Sequence, residues 1–149
     1  MLAKASNLNE HHFSLLKSFS YLHDIGKINI NRELIDLPIE DSELNNEMKQ
    51  HVEIGYRILS RIPKYFEIAF DVLTQYENYD GTGYPKGLKG KSIPIRARIM
   101  RITNYYDFKI NYQGYTKEET LKIIEKHSGT KFDPRLVLIF IEIMNKEKS

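Results

Sequence analysis

The pairing that most constrains this chain is a histidine beside an aspartate at the end of an apolar helical repeat. Phe13, Leu16, Phe19 and Leu22 recur every three to four residues, which predicts a helix from about Asn9 to Asp24 with Gly26 as its stop. His23 and Asp24 close that helix, and Ile25, Gly26 and Lys27 follow. Burying an aspartate costs several kcal/mol unless a cation or donor meets it, so a purely structural role explains the pair poorly. A metal centre explains it better: imidazole suits transition metals, and a carboxylate can bridge cations.

The 149 residues suffice for one domain with a real core, and helical spacing continues through them. Residues 28–40, with Pro38, read as an irregular link, and Asp41 or Ser42 can cap a second helix. That helix carries Met48, Val52, Tyr56 and Leu59 on its apolar face and ends near Ile62-Pro63. A third follows with Phe66, Ala69, Phe70 and Leu73 facing inward. The glycines and proline of residues 78–92 predict a loop. Pro94 then suits a first helical position, with Ile95, Ile99 and Ile102 or Thr103 inward. Thr116 to Glu119 form a capping box for a fifth helix containing Leu121 and Ile124. Asp133-Pro134 opens the last helix, with Leu136, Phe140 and Ile143 or Met144 inward. No alternating stretch is long enough for a strand, so the fold class is all-α.

Composition removes several function classes. The absence of cysteine excludes disulfides and thiolate metal sites. A net charge of +2 gives no basis for binding a nucleic-acid polymer. No apolar run approaches the roughly 18 residues of a membrane span, and no signal-peptide pattern opens the chain, so a cytoplasmic location is the expectation. Lys86, Lys89, Lys91, Arg96, Arg98 and Arg101 lie between Gly81 and Tyr106 with no acidic residue among them. Such a run attracts phosphates or forms a solvated face. His11, His12 and His127 read as exposed helix residues.

Taken together, several strings resemble the HD-GYP domain family: His23-Asp24-Ile25-Gly26-Lys27; His51-Val52-Glu53-Ile54-Gly55; Asp80-Gly81-Thr82-Gly83-Tyr84-Pro85; and Gly129 to Pro134. The likeness runs from about Leu8 to the last helix. It implies a helical HD-domain bundle and descent from metal-dependent phosphodiesterases of cyclic di-GMP that hold iron or manganese. By that resemblance His23, Asp24 and His51 are metal ligands, and Asp24 and Lys27 act in catalysis. Asp80, Gly81, Gly83, Tyr84 and Pro85 predict a turn that presents an aromatic at the surface, and the resemblance implies that this surface contacts cyclic di-GMP synthases or other signalling proteins.

The pattern then departs from the family. Gln75 and Tyr76 stand where the family has two histidines, and Asn104 stands where it has an aspartate. The family's earlier metal-binding histidine helix would fall before Met1, so residues 1–149 read as a single domain lacking that first helix. Two imidazoles and one carboxylate suit one divalent ion better than two. The expectation is weak or absent hydrolysis, with function through protein contact or nucleotide binding. The alternative is an active phosphodiesterase with a reduced site, or one rebuilt around Tyr76 and Glu77.

Overall fold

The computed structural model describes residues 2–30 and 46–146, with only the backbone of residues 29 and 46–48. Expectations about the link at 28–40 beyond residue 30, the cap at Asp41 or Ser42 and the side chain of Met48 lie outside the described residues.

Helices make up the fold, and no strand occurs among the described residues beyond one isolated bridge between Ser128 and Phe132. A short α1, Leu2–Ala5, has no counterpart in the sequence reading, since four residues are too few to show a period. Its Leu2 and Ala3 nevertheless enter the core. Helix α2, Glu10–Leu22, starts where Asn9 Oδ1 accepts the His12 backbone N–H at 2.8 Å. It buries Leu16 and Phe19. Because the helix ends at Leu22, His23 is its C-terminal cap and Asp24 lies just outside, at the entrance to a 3₁₀ turn, Ile25–Asn29.

Helix α3, Asn46–Leu59, packs on that turn, and helix α4, Phe66–Thr74, packs on α3 and α2. The approach is glycine-dependent. A Cβ on Gly26 would stand 1.8 Å from the His51 carbonyl oxygen, and one on Gly55 would stand 2.8 Å from Val72 Cγ1. Val52, Leu59, Ala69 and Leu73 are buried as the apolar spacing requires. Tyr56, Phe66 and Phe70, expected to face inward, are exposed, Phe66 at 64%. Helix α4 has apolar residues on nearly every side, and Ile68 and Val72 take the core-facing line instead.

Helix α5, Ile95–Asn111, begins after Pro94, which caps it and is not its first residue. Ile99 and Ile102 are buried, and Thr103 is only half-buried. Helix α6, Lys117–Lys126, has the full capping box: Thr116 and Glu119 each bond the other's backbone N–H. Helix α7, Pro134–Lys146, follows Asp133, whose Oδ1 accepts the Arg135 N–H at 2.9 Å. Its Leu136 and Phe140 are buried, while Ile143 and Met144 pack at the core's edge. No helix among the described residues is long and apolar enough to cross a membrane.

Candidate functional site

The end of α2 and the adjoining face of α3 bring His23, Asp24, Lys27 and His51 together. His23 Nδ1 lies 2.9 Å from the Ser20 carbonyl oxygen, so Nδ1 is the donor there, and in the neutral ring Nε2 holds the lone pair. That Nε2 is 3.6 Å from Asp24 Oδ2. His51, wholly buried, points its Nε2 at Asp24 Oδ1 from 3.8 Å, too far for a hydrogen bond. Lys27 Nζ contacts Asp24 Oδ2 at 2.7 Å. Asp24 is half-buried, and its Oδ1 is enclosed with no hydrogen-bond partner. An enclosed anionic oxygen facing a buried imidazole is a place where a cation or a donor is accommodated.

As they stand, the three expected ligands do not close on a common point. Among the described residues no group of three or more histidine and acidic side chains meets a metal-holding geometry. The donor chemistry suits one divalent ion: two imidazole nitrogens, one of them with its tautomer set by a backbone carbonyl, and one carboxylate.

The neighbouring positions have other engagements. Gln75 is buried, and its Nε2 donates to the His23 carbonyl at 2.7 Å and to the Val72 carbonyl at 3.2 Å. This amide ties the end of α4 to the backbone of the His-Asp pair, while Gln75 Oε1 is enclosed without a hydrogen-bond partner. Tyr76 meets His51 edge-on, with ring centroids 5.5 Å apart. Glu77, offered in the sequence reading as part of a rebuilt site, is committed elsewhere. Its two carboxylate oxygens accept the backbone N–H groups of Lys86 at 2.7 Å and Leu88 at 3.1 Å. Asn104 is half-buried on α5, one turn beyond Arg101 and therefore on the same side of that helix.

The loop that follows is braced from within. Asp80 Oδ1 accepts the Thr82 backbone N–H at 2.9 Å and its hydroxyl at 2.7 Å, which holds the Asp80 carboxyl below its ordinary pKa. Gly81 adopts φ of 91°, and a Cβ on Gly83 would stand 2.2 Å from the Asn78 nitrogen. The Tyr84-Pro85 peptide is cis. Tyr84 does not project from the surface as expected. Its ring stacks on Tyr76, centroids 5.4 Å apart and planes 1° apart, and its hydroxyl is enclosed. Burial raises the phenol's pKa, so it stays protonated.

Sequence reading missed the two cations on this aromatic pair. Arg101 Cζ lies 5.3 Å from the Tyr76 ring centroid, and Lys49 Nζ lies 5.6 Å from that of Tyr84. Both contacts join residues distant in sequence, which local spacing does not signal. The basic run also divides differently from either expectation. Lys86, Lys89 and Lys91 are exposed, but Arg96 pairs with Asp71 at 2.5 Å and Arg98 with Asp133 at 2.6 Å. Of the histidines expected on the surface, only His11 is exposed; it pairs with Glu67 at 3.1 Å. His12 is half-buried with Nδ1 2.5 Å from Arg96 Nη1, and His127 is half-buried at the end of α6.

Comparison with known proteins agrees with this architecture. The family model described as HD domain matches residues 1–136, and the chain belongs to that family. A cyclic di-GMP phosphodiesterase of Thermotoga maritima is 34% identical over 95% of this chain and 40% of its own length. The cyclic di-GMP phosphodiesterase response regulator RpfG of Xanthomonas campestris is 33% identical over 92% of this chain and 38% of its own. A 3'3'-cGAMP-specific phosphodiesterase of Vibrio cholerae is 33% identical over 95% of the chain and 28% of its own. The chain thus spans well under half the length of these curated relatives. A solved cyclic GMP-AMP-specific phosphodiesterase of Vibrio cholerae shares the fold, with a TM-score of 0.76 at 18% identity, covering 99% of this chain and 42% of that one.

Proposed function

We propose that this HD domain is a cyclic-dinucleotide signalling module that binds cyclic di-GMP and hydrolyses it slowly or not at all. The observation that carries this reading is the engagement of Glu77: both its oxygens hold loop backbone, so the acidic group adjacent to Tyr76 is withdrawn from metal binding. Gln75, anchored to the His23 carbonyl, adds at most a neutral oxygen. A two-ion centre clamps both the attacking and leaving oxygens of a phosphodiester, and this donor set falls short of one.

His23 Nε2, the Asp24 carboxylate and His51 Nε2 would hold a single divalent ion, iron or manganese by the family resemblance. When bound, such an ion supplies Lewis acidity and lowers the pKa of a bound water. The chain's own groups then have separable tasks. Asp24 keeps Lys27 at the site through the 2.7 Å contact, where its ammonium can meet a ligand phosphate. Ser20 fixes the His23 tautomer, and Gln75 fixes the backbone that carries it. The loop at Asp80 to Pro85, with the exposed Lys86, Lys89 and Lys91 that follow it, offers a surface to a protein partner such as a cyclic di-GMP synthase domain.

The test pairs calorimetric titration with cyclic di-GMP against product chromatography in manganese or ferrous iron. The expected result is saturable binding with turnover below about 0.01 per second, well under the typical range for enzymes. Turnover of about 1 per second or faster overturns the impaired reading, and absence of binding overturns the nucleotide reading.

A further inference from the structure

Two helix C-termini meet behind the His23-Asp24 pair. Helix α2 ends at Leu22 and helix α4 at Thr74, and neither carries a basic residue in its last turn. The Gln75 amide joins the two ends: its Nε2 donates to the His23 carbonyl at 2.7 Å and to the Val72 carbonyl at 3.2 Å. Both partners are acceptors, so the amide cannot be turned over, and Oε1 is fixed as its other end. The nitrogen and oxygen of one amide stand about 2.3 Å apart, so Oε1 lies within about 5 Å of the carbonyl oxygen that joins His23 to Asp24. Gln75 is 2% exposed, and Oε1 is enclosed with no hydrogen-bond partner. Asp24 Oδ1, on the residue after that carbonyl, is likewise enclosed without a hydrogen bond. Two enclosed acceptors without donors, at the negative ends of two helix dipoles, favour positive charge between them.

We infer that Gln75 Oε1 is a further ligand of the divalent ion that His23, Asp24 and His51 would hold, and that it favours manganese relative to zinc. The inference rests on the single-ion reading above and adds a ligand and a selectivity to it. A carbonyl oxygen is a hard donor that suits manganese, whereas imidazole suits zinc. By the family resemblance a histidine would stand at position 75, so glutamine exchanges a softer donor for a harder one. Two imidazoles, one carboxylate and a water complete a four-coordinate zinc without Gln75. Manganese takes a larger set of oxygen-rich ligands and gains from the added one. The amide is neutral, so the site still has one carboxylate and no capacity for a second ion.

The experiment titrates chelator-treated full chain with manganese and, separately, with zinc, each followed by calorimetry. Gln75→Met keeps the length of the side chain and removes its oxygen. It is expected to weaken manganese binding about 10-fold or more and zinc binding less than about 3-fold. Gln75→His is expected to move the ratio of manganese to zinc affinity about 10-fold toward zinc. Loss of the anchor to His23 alone would weaken both ions together, so the ratio separates a ligand from a brace. Thermal unfolding identifies any variant that has lost its fold. If both do so, anomalous scattering from crystals of the unaltered protein soaked in manganese carries the test, with an ion bonded to Oε1 as the expected result. An unchanged ratio in a folded variant, or an ion that Oε1 does not touch, overturns the role of Gln75 and leaves the single-ion reading standing. No manganese bound by the unaltered protein overturns both.

Discussion

Asp71 on α4 and Asp24 beside α2 are both carboxylates drawn away from water, and their surroundings differ in kind. Asp71 is 1% exposed and receives Arg96 Nε at 2.5 Å; Arg96 Nη1 in turn reaches His12 Nδ1 at 2.5 Å. One guanidinium thus joins α2, α4 and α5. Asp24 has Lys27 on one oxygen and leaves the other enclosed without a hydrogen bond. The first arrangement is closed and contributes to holding the helices together. The second is open, and it retains capacity for a positive ligand at the expense of local stability.

Breaking the closed arrangement should have the largest effect. Arg96→Met leaves Asp71 without its cation, and a loss of about 3–5 kcal/mol in denaturant unfolding at pH 7 is expected, the usual weight of a broken buried pair. A loss below about 1 kcal/mol would mean that Arg96 bridges the helices only nominally.

The pH profile sharpens the same contrast. Burial pushes the Asp71 carboxyl up from 3.8 to about 6, against the lowering effect of Arg96. A carboxyl raised in the folded state binds its proton more tightly there than in the unfolded chain. Its favourable contribution is therefore full below 3.8 and fades as pH rises to about 6. The difference amounts to about 3 kcal/mol across that window, and Asp71→Asn should remove it from the stability profile. A slope unchanged in the Asn variant would assign the pH dependence to other groups.

Gly26→Ala tests the frame of the open site. Its methyl would meet the His51 carbonyl, and overpacking of this kind costs about 1–3 kcal/mol. Nucleotide affinity should fall with stability, since the turn carrying Asp24 must move. Full affinity in a destabilised variant would separate the turn from the site.

The smallest stability effect belongs to Asp24 itself. Asp24→Asn should alter unfolding by less than about 1 kcal/mol, because the pair with Lys27 is partly solvated. Binding of manganese, followed by calorimetry, should nonetheless be lost. A large drop in stability would show Asp24 to be a second Asp71.

Much of this was legible in the sequence because it is local. The capping box at Thr116, the cap at Asp133, the turn-forming glycines and the His23-Asp24 pair are each decided within a few residues. What was not legible depended on distant partners or on helix phase. Arg96 finds Asp71 25 positions away, Arg98 finds Asp133 35 away, and Gln75 reaches His23 across 52. Spacing alone cannot distinguish a solvated arginine from one so matched. Phe66 and Phe70 show the phase problem: a helix apolar on several sides has no preferred inward line until its neighbours are in place. Tyr84 failed for a related reason, since its ring found Tyr76 and turned inward.

The near-contact of Gly26 with the carbonyl of His51 has a broader consequence. Where main chain rests directly on main chain, the bench is independent of the tools laid on it. The spacing of the two backbone segments that carry His23 and His51 is set at Gly26 itself, whatever the side chains between them hold.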